Sequence, residues 1–137
     1  MIPAKHQTLK INSNTRNLRL VERLIDDVCQ IYNVPEECYG NMLIAVTEAV
    51  NNAIIHGNKN DPEKVVRIGF EADDSTLTFS ITDEGHGFDY TSLPDPTDPK
   101  NIQKPSGRGV FLMSTLADKI LFEQNGRRVL LGFSGSA

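Results

Sequence analysis

The sequence predicts a two-layer α/β sandwich of the α+β kind, a mixed, mainly antiparallel sheet covered on one face by helices. Three observations predict it. Residues 18–31 and about 35–56 repeat apolar side chains at helical period. Residues 66–81 and 120–133 each alternate apolar and polar side chains on either side of a short turn, as hairpins do. The resulting order, β-α-α-β-β-loop-α-β-β, links strands by hairpins and so argues against a doubly wound sheet. At 137 residues the chain reads as one domain over 1–137, with enough length for a single core.

The elements follow in order. Gln7, Leu9 and Ile11 alternate with Thr8 and Lys10 as a short strand, and Ser13 or Asn14 can cap what comes next. Leu18, Val21, Leu24, Ile25, Val28 and Ile31 form the inward stripe of the first helix. Asn33-Val34-Pro35 breaks it, and Pro35 with Glu36 and Glu37 suits the first turn of a second helix. That helix is expected to reach about His56, with Gly57 supplying a left-handed C-terminal position. Val66, Ile68 and Phe70, then Leu77, Phe79 and Ile81, give an antiparallel pair turning at Asp73-Asp74-Ser75. Residues 84–106 hold four prolines and few large apolar groups, and their place between two glycine pairs reads as a lid. Gly107-Arg108-Gly109 opens a helix through about Leu116. Ile120 and Phe122 then pair with 128–133 across Asn125-Gly126, read as a two-residue type I′ turn.

Composition excludes several classes. A net charge of −4 and a pI near 5.3 argue against non-specific nucleic-acid or anionic-membrane binding. The two cysteines, Cys29 and Cys38, form no CxxC and are expected as reduced thiols. No apolar run approaches the roughly 20 residues of a membrane span, and the first residues lack a signal-peptide core, so a cytoplasmic location is expected.

Three stretches carry chemistry. Glu48, Asn52 and His56 are spaced at i, i+4 and i+8, which on a helix puts a carboxylate, an amide and an imidazole on one face. Such a carboxylate can act as a base, and such an amide oxygen can bind a hard cation such as Mg²⁺. Asp83 ends a strand, where its carboxylate can accept from an exocyclic amine, and Gly85 and Gly87 let backbone approach a flat ring. Gly107 and Gly109 at a helix N-terminus offer N–H groups to phosphate, and Lys104 and Arg108 can add charge. No G-x-x-x-x-G-K-[ST] or G-x-G-x-x-G pattern is present, so Walker and Rossmann sites are unsupported.

Glu48-Ala49-Val50-Asn51-Asn52-Ala53-Ile54-Ile55-His56-Gly57, Asp83-Glu84-Gly85-His86-Gly87-Phe88 and Ser106-Gly107-Arg108-Gly109-Val110-Phe111-Leu112, in this order, resemble the boxes of the Bergerat-type ATPases, the superfamily of gyrase and the histidine kinases. The first phrase looks most like the bacterial anti-sigma factor serine kinases. The resemblance spans about residues 7–133 and implies a Bergerat fold with an ATP lid. It implies that Glu48 is the general base, Asn52 the Mg²⁺ ligand, and Asp83 the partner of the adenine amino group. It implies that Gly87 lines the adenine pocket, beside Gly85, and that Gly107, Arg108 and Gly109 wrap the triphosphate beneath the lid, where Lys104 could add charge. Arg108 stands where that branch usually carries a small or apolar residue. The implied activity is ATP-dependent phosphorylation of a serine on an anti-sigma antagonist, with a sigma factor as second partner and a homodimer as assembly. The same boxes would also serve an ATP-dependent binding switch without phosphotransfer, or a detached sensor-kinase ATP-binding domain.

Overall fold

The computed structural model describes residues 6–73, 76–85 and 112–134. Their strands form one five-stranded sheet in the order β1-β2-β3-β5-β4. The strands are β1 (His6–Asn12), β2 (Val65–Ala72), β3 (Thr76–Thr82), β4 (Lys119–Glu123) and β5 (Arg128–Ser134). All four neighbouring pairs are antiparallel. The connection from β3 to β4 leaves those two strands running the same way, but β5 returns between them. The sheet is therefore antiparallel throughout, not mixed.

Helix α1 (Leu18–Ile31) and helix α2 (Glu36–Asn52) cover one face. A 3₁₀ turn, Thr15–Asn17, leads into α1, and the Asn14 side chain caps that turn by accepting from the Arg16 N–H at 3.0 Å. Asn14, not Ser13, is thus the cap. Val21, Leu24, Ile25 and Val28 of α1 and Met42, Val46 and Val50 of α2 are buried against Ile11, Val66, Ile68, Phe70, Leu77, Phe79 and Ile81 of the sheet. The alternation of period two thus sends one side of each strand into a common core. Tyr32, Phe70, Phe79 and Phe133 run ring to ring across that core, with centroids 5.7, 5.2 and 6.2 Å apart in tilted or edge-on contact. The Cys29 thiol lies 3.7 Å from the Met42 sulfur between the helices. Burial pushes its pKa up to about 11, so Cys29 stays a packed thiol.

Two expectations about turns are corrected. Gly57 does not end α2 in a left-handed conformation. The chain passes from α2 into a π-helical segment, Ala53–Gly57, closed by the Asn58 N–H on the Ala53 carbonyl at 2.8 Å. The left-handed residues come later, at Lys59 and Asn60, with φ of 56° and 59°. The β4–β5 connection is also longer than a type I′ turn. Glu123 pairs with Arg128, which leaves residues 124–127 as the connection, with positive φ at Gln124 and Gly126. Arg128 Nε and Glu123 Oε1, 3.3 Å apart, flank it as an ion pair without a well-aligned hydrogen bond. No helix among the described residues is long and apolar enough to cross a membrane.

Candidate functional site

The site is built where the end of α2 meets the end of β3. Helix α2 contributes Glu48 and Asn52, one turn apart and both half-buried. Asn52 is its last α-helical residue. Beyond it the hydrogen-bond ladder widens, and turns of this type occur disproportionately at functional sites. Widening has two effects. Ile54 stays fully buried in the core, while Gly57 and Asn58 both face the chain leaving β3. His56, the third residue of the expected row, is exposed, whereas Glu48 and Asn52 are half-buried.

Asp83 follows β3 directly. Its N–H donates to the Arg127 carbonyl at 2.9 Å, which ties this corner to the β4–β5 connection. Its Oδ1 accepts the Gly85 N–H at 2.8 Å, and its carboxylate lies against Gly57. Burial raises the Asp83 pKa above the ordinary carboxylate value. The Gly85 N–H and the positive charges of Arg127 and Lys64 pull the other way and do not cancel the burial effect. The carboxyl is thus half-withdrawn from water, with one oxygen held by its own loop.

Two glycines are dictated by this contact. A Cβ on Gly57 would run into the Asp83 carboxylate, and a Cβ on Gly85 into the Gly57 backbone carbonyl. The two obstacles differ in kind. A carboxylate can rotate away, but a carbonyl in a closed helical turn cannot. Gly57→Ala is therefore expected to fold at close to wild-type stability with the Asp83 carboxylate turned away. Gly85→Ala is expected to lose about 1–3 kcal/mol of stability through overpacking. Thermal melts separate the two. Equal melting temperatures for both variants would contradict this account.

The structure brings Asp83 and Gly85 to the foot of the helix that carries Glu48 and Asn52. No hydrogen bond to another described residue holds the Glu48 or Asn52 side chain. Gly87, Lys104, Gly107, Arg108 and Gly109 lie outside the described residues, as does the lid beyond Gly85. Residues 112–116 are helical, with Met113 buried, and the glycine opening of that helix falls outside.

Sequence reasoning missed Asn58 and Ser13, the two buried polar residues among the described residues. Asn58 followed a glycine in a polar stretch and read as turn; Ser13 read as a helix cap. No spacing signal joined residues 45 positions apart that meet by an amide–hydroxyl bond of 2.8 Å.

Comparison with known proteins follows this geometry. Residues 11–133 match the histidine kinase-like ATPase domain family. An anti-sigma F factor of Clostridium botulinum is 38% identical over 92 residues, covering 62% of this chain and 63% of that protein. The serine-protein kinase RsbW of Staphylococcus epidermidis is 32% identical over 91 residues, covering 61% and 57%. The match thus spans less than two thirds of the length of these relatives. The crystal structure of the RsbU and RsbW domains of a Mycobacterium tuberculosis protein superposes with a TM-score of 0.66 at 16% identity, over 96% of this chain and 32% of that one. It shares the fold.

Proposed function

The chain belongs to the histidine kinase-like ATPase domain family, and from that premise we propose that it is an ATP-dependent anti-sigma factor and protein serine kinase. The observation that carries this reading is the Asp83 corner. A half-buried carboxylate, with Oδ1 taken by Gly85, packs on Gly57 at the foot of the helix bearing Glu48 and Asn52. The names of the relatives, anti-sigma F factor and serine-protein kinase RsbW, point the same way.

In this reading Asp83 Oδ2 accepts a hydrogen bond from the 6-amino group of adenine, and Gly85 and Gly87 give the ring room. Gly57 and Gly85 let the backbone close on the Asp83 carboxylate, since a side chain at either would run into the atoms already there. Asn52 would hold Mg²⁺ through its amide oxygen, and the ion would supply charge neutralisation at the phosphates. Lys104, Gly107, Arg108 and Gly109 take the rest of that charge. Glu48 withdraws the proton from a serine hydroxyl of the antagonist. The serine oxygen then bonds to the γ-phosphorus, the bond from that phosphorus to the β–γ bridging oxygen breaks, and ADP leaves with Glu48 protonated. We place the sigma factor and the pairing of two copies on β1 and α1, where Arg16, Arg19, Leu20 and Arg23 are exposed.

The test is incubation with Mg²⁺, ATP labelled at the γ-phosphate, and small serine-bearing antagonist proteins. Label is expected on one serine of the partner. Saturable ATP binding and partner capture with no transferred label would replace the kinase with a nucleotide-dependent binding switch.

A further inference from the structure

Asn58 lies beyond the last glycine of the first box and is 0% exposed. A buried primary amide is tolerated only where its donors and acceptor are met. Here three bonds meet them. Nδ2 donates to Ser13 Oγ at 2.8 Å and to the Val65 carbonyl at 3.0 Å, and Oδ1 accepts the Glu84 N–H at 2.8 Å. The orientation of the amide is forced. Ser13 spends its hydroxyl proton on the Lys64 carbonyl at 2.8 Å, so Ser13 Oγ can only accept from Asn58. The Val65 carbonyl also requires a donor, and the Glu84 N–H requires an acceptor. A flipped amide would set like against like at all three contacts.

Through these bonds one side chain joins the end of the α2 segment, the chain after β1, the start of β2, and the residue after Asp83. Glu84 is held twice, because its Oε2 accepts the Val65 N–H at 2.7 Å. Beyond Glu84 the Gly85 N–H bonds Asp83 Oδ1 at 2.8 Å, and on the other side the Asp83 N–H bonds the Arg127 carbonyl at 2.9 Å. Asp83 itself has little freedom left once Glu84 is pinned. The Asp83 carboxylate, packed against Gly57, is thus oriented through Asn58, a residue whose amide bonds are all made within the protein.

We propose that Asn58 is the positioning residue for purine recognition: its amide sets the backbone at Glu84, and so aims the Asp83 carboxylate at a base that carries an exocyclic amine. The proposal rests on the ATP-site reading given above, and it deepens that reading by naming what confers preference for an amino-bearing purine. A residue that merely stabilised the fold would weaken all nucleotides alike. Asn58 instead governs the difference between ATP and the analogue in which hydrogen replaces the 6-amino group.

The experiment measures dissociation constants for ATP and for purine riboside triphosphate, both with Mg²⁺, on wild type, Asn58→Leu, Asp83→Ala and the double variant. Wild type is expected to prefer ATP by about 10-fold or more, as one charge-assisted hydrogen bond in a half-buried site supplies. Asn58→Leu and Asp83→Ala are each expected to bring the ratio to within about 3-fold of unity. The double variant is expected to go no further, because both act on one contact. A folded Asn58→Leu that keeps the wild-type ratio overturns the proposal while leaving the ATP site standing. A wild-type ratio near one removes the adenine reading and the proposal with it. Should Asn58→Leu not fold, the unaltered protein decides. The Asn58 side-chain amide and Glu84 backbone amide resonances are expected to shift more on saturation with ATP than with the analogue, and equal shifts overturn the proposal.

Discussion

Asp83→Asn is expected to leave a folded protein that no longer holds ATP, with the dissociation constant raised about 100-fold or more, on the order of 3 kcal/mol. The substitution keeps an oxygen for the Gly85 N–H, which bonds Oδ1 at 2.8 Å. The NH₂ group then falls at the Oδ2 position and meets the amino group of adenine donor to donor. Stability moves differently. Burial raises the Asp83 pKa, so the folded protein binds that proton more tightly than the unfolded chain does. The contribution of the carboxyl is fully present below its unfolded value near 3.8 and is lost as pH rises through the higher folded value. Wild type should therefore gain stability relative to Asp83→Asn on acidification through that window, and lose it at neutral pH. Calorimetric titration with ATP and Mg²⁺, beside denaturant melts at pH 4 and 7, measures both effects. Unimpaired ATP binding by the variant would remove Asp83 from the adenine site.

The second large effect is expected at Glu48→Gln. Glutamine keeps the size of the side chain and a polar oxygen but cannot take a proton. Phosphotransfer to the antagonist serine should fall about 10²–10⁴-fold, the ordinary range for a lost general base. ATP affinity should stay within about 2-fold, because in the proposed mechanism the base acts on the acceptor hydroxyl and not on the nucleotide. Asn52→Ala, one turn further along α2, should instead weaken Mg²⁺-dependent ATP binding itself. Single-turnover transfer of labelled phosphate under saturating ATP distinguishes the two. Transfer by Glu48→Gln at the wild-type rate would relieve Glu48 of the role of base.

Much of the architecture was legible because it rests on periodicity. The stripe from Leu18 to Ile31 and the alternation of Val66, Ile68 and Phe70 follow from where apolar side chains must go. Val21, Leu24, Ile25, Val28, Val66, Ile68 and Phe70 are indeed buried, whereas Leu18 is half-buried and Ile31, the last residue of its helix, is 40% exposed and does not complete the inward stripe. What the pattern did not reveal depends on backbone detail. Ala53-Ile54-Ile55-His56-Gly57 is as suitable for an α-helix as for a π turn; contact between Gly57 and Asp83 distinguishes them. Asn125-Gly126 carries a strong hairpin signal, yet the Glu123–Arg128 pairing sets a longer connection. The strand order required knowing that β5, not β4, lies beside β3, and nothing in the alternation of Ile120 and Phe122 says so. In the site, Glu48, Asn52 and Asp83 were visible as chemistry-bearing groups at telling intervals. Asn58 and Ser13 were invisible, because a buried polar bracket between distant segments leaves no local trace.

The π-helical segment carries a consequence for helical phase. In register terms it is a helix with one residue too many. Each residue of an α-helix advances the chain by about 100°, and the π-helical segment takes up about one residue more per turn, so winding the same residues of Ala53–Gly57 as a regular α-helix would swing everything after them by about that angle. Gly57 would turn from Asp83, and Asn58 would carry its amide away from Glu84 and Val65. Glu48 and Asn52, upstream of the break, would not move. The Asp83 corner and the helix carrying the carboxylate and amide are thus held in alignment by the widened winding of five residues.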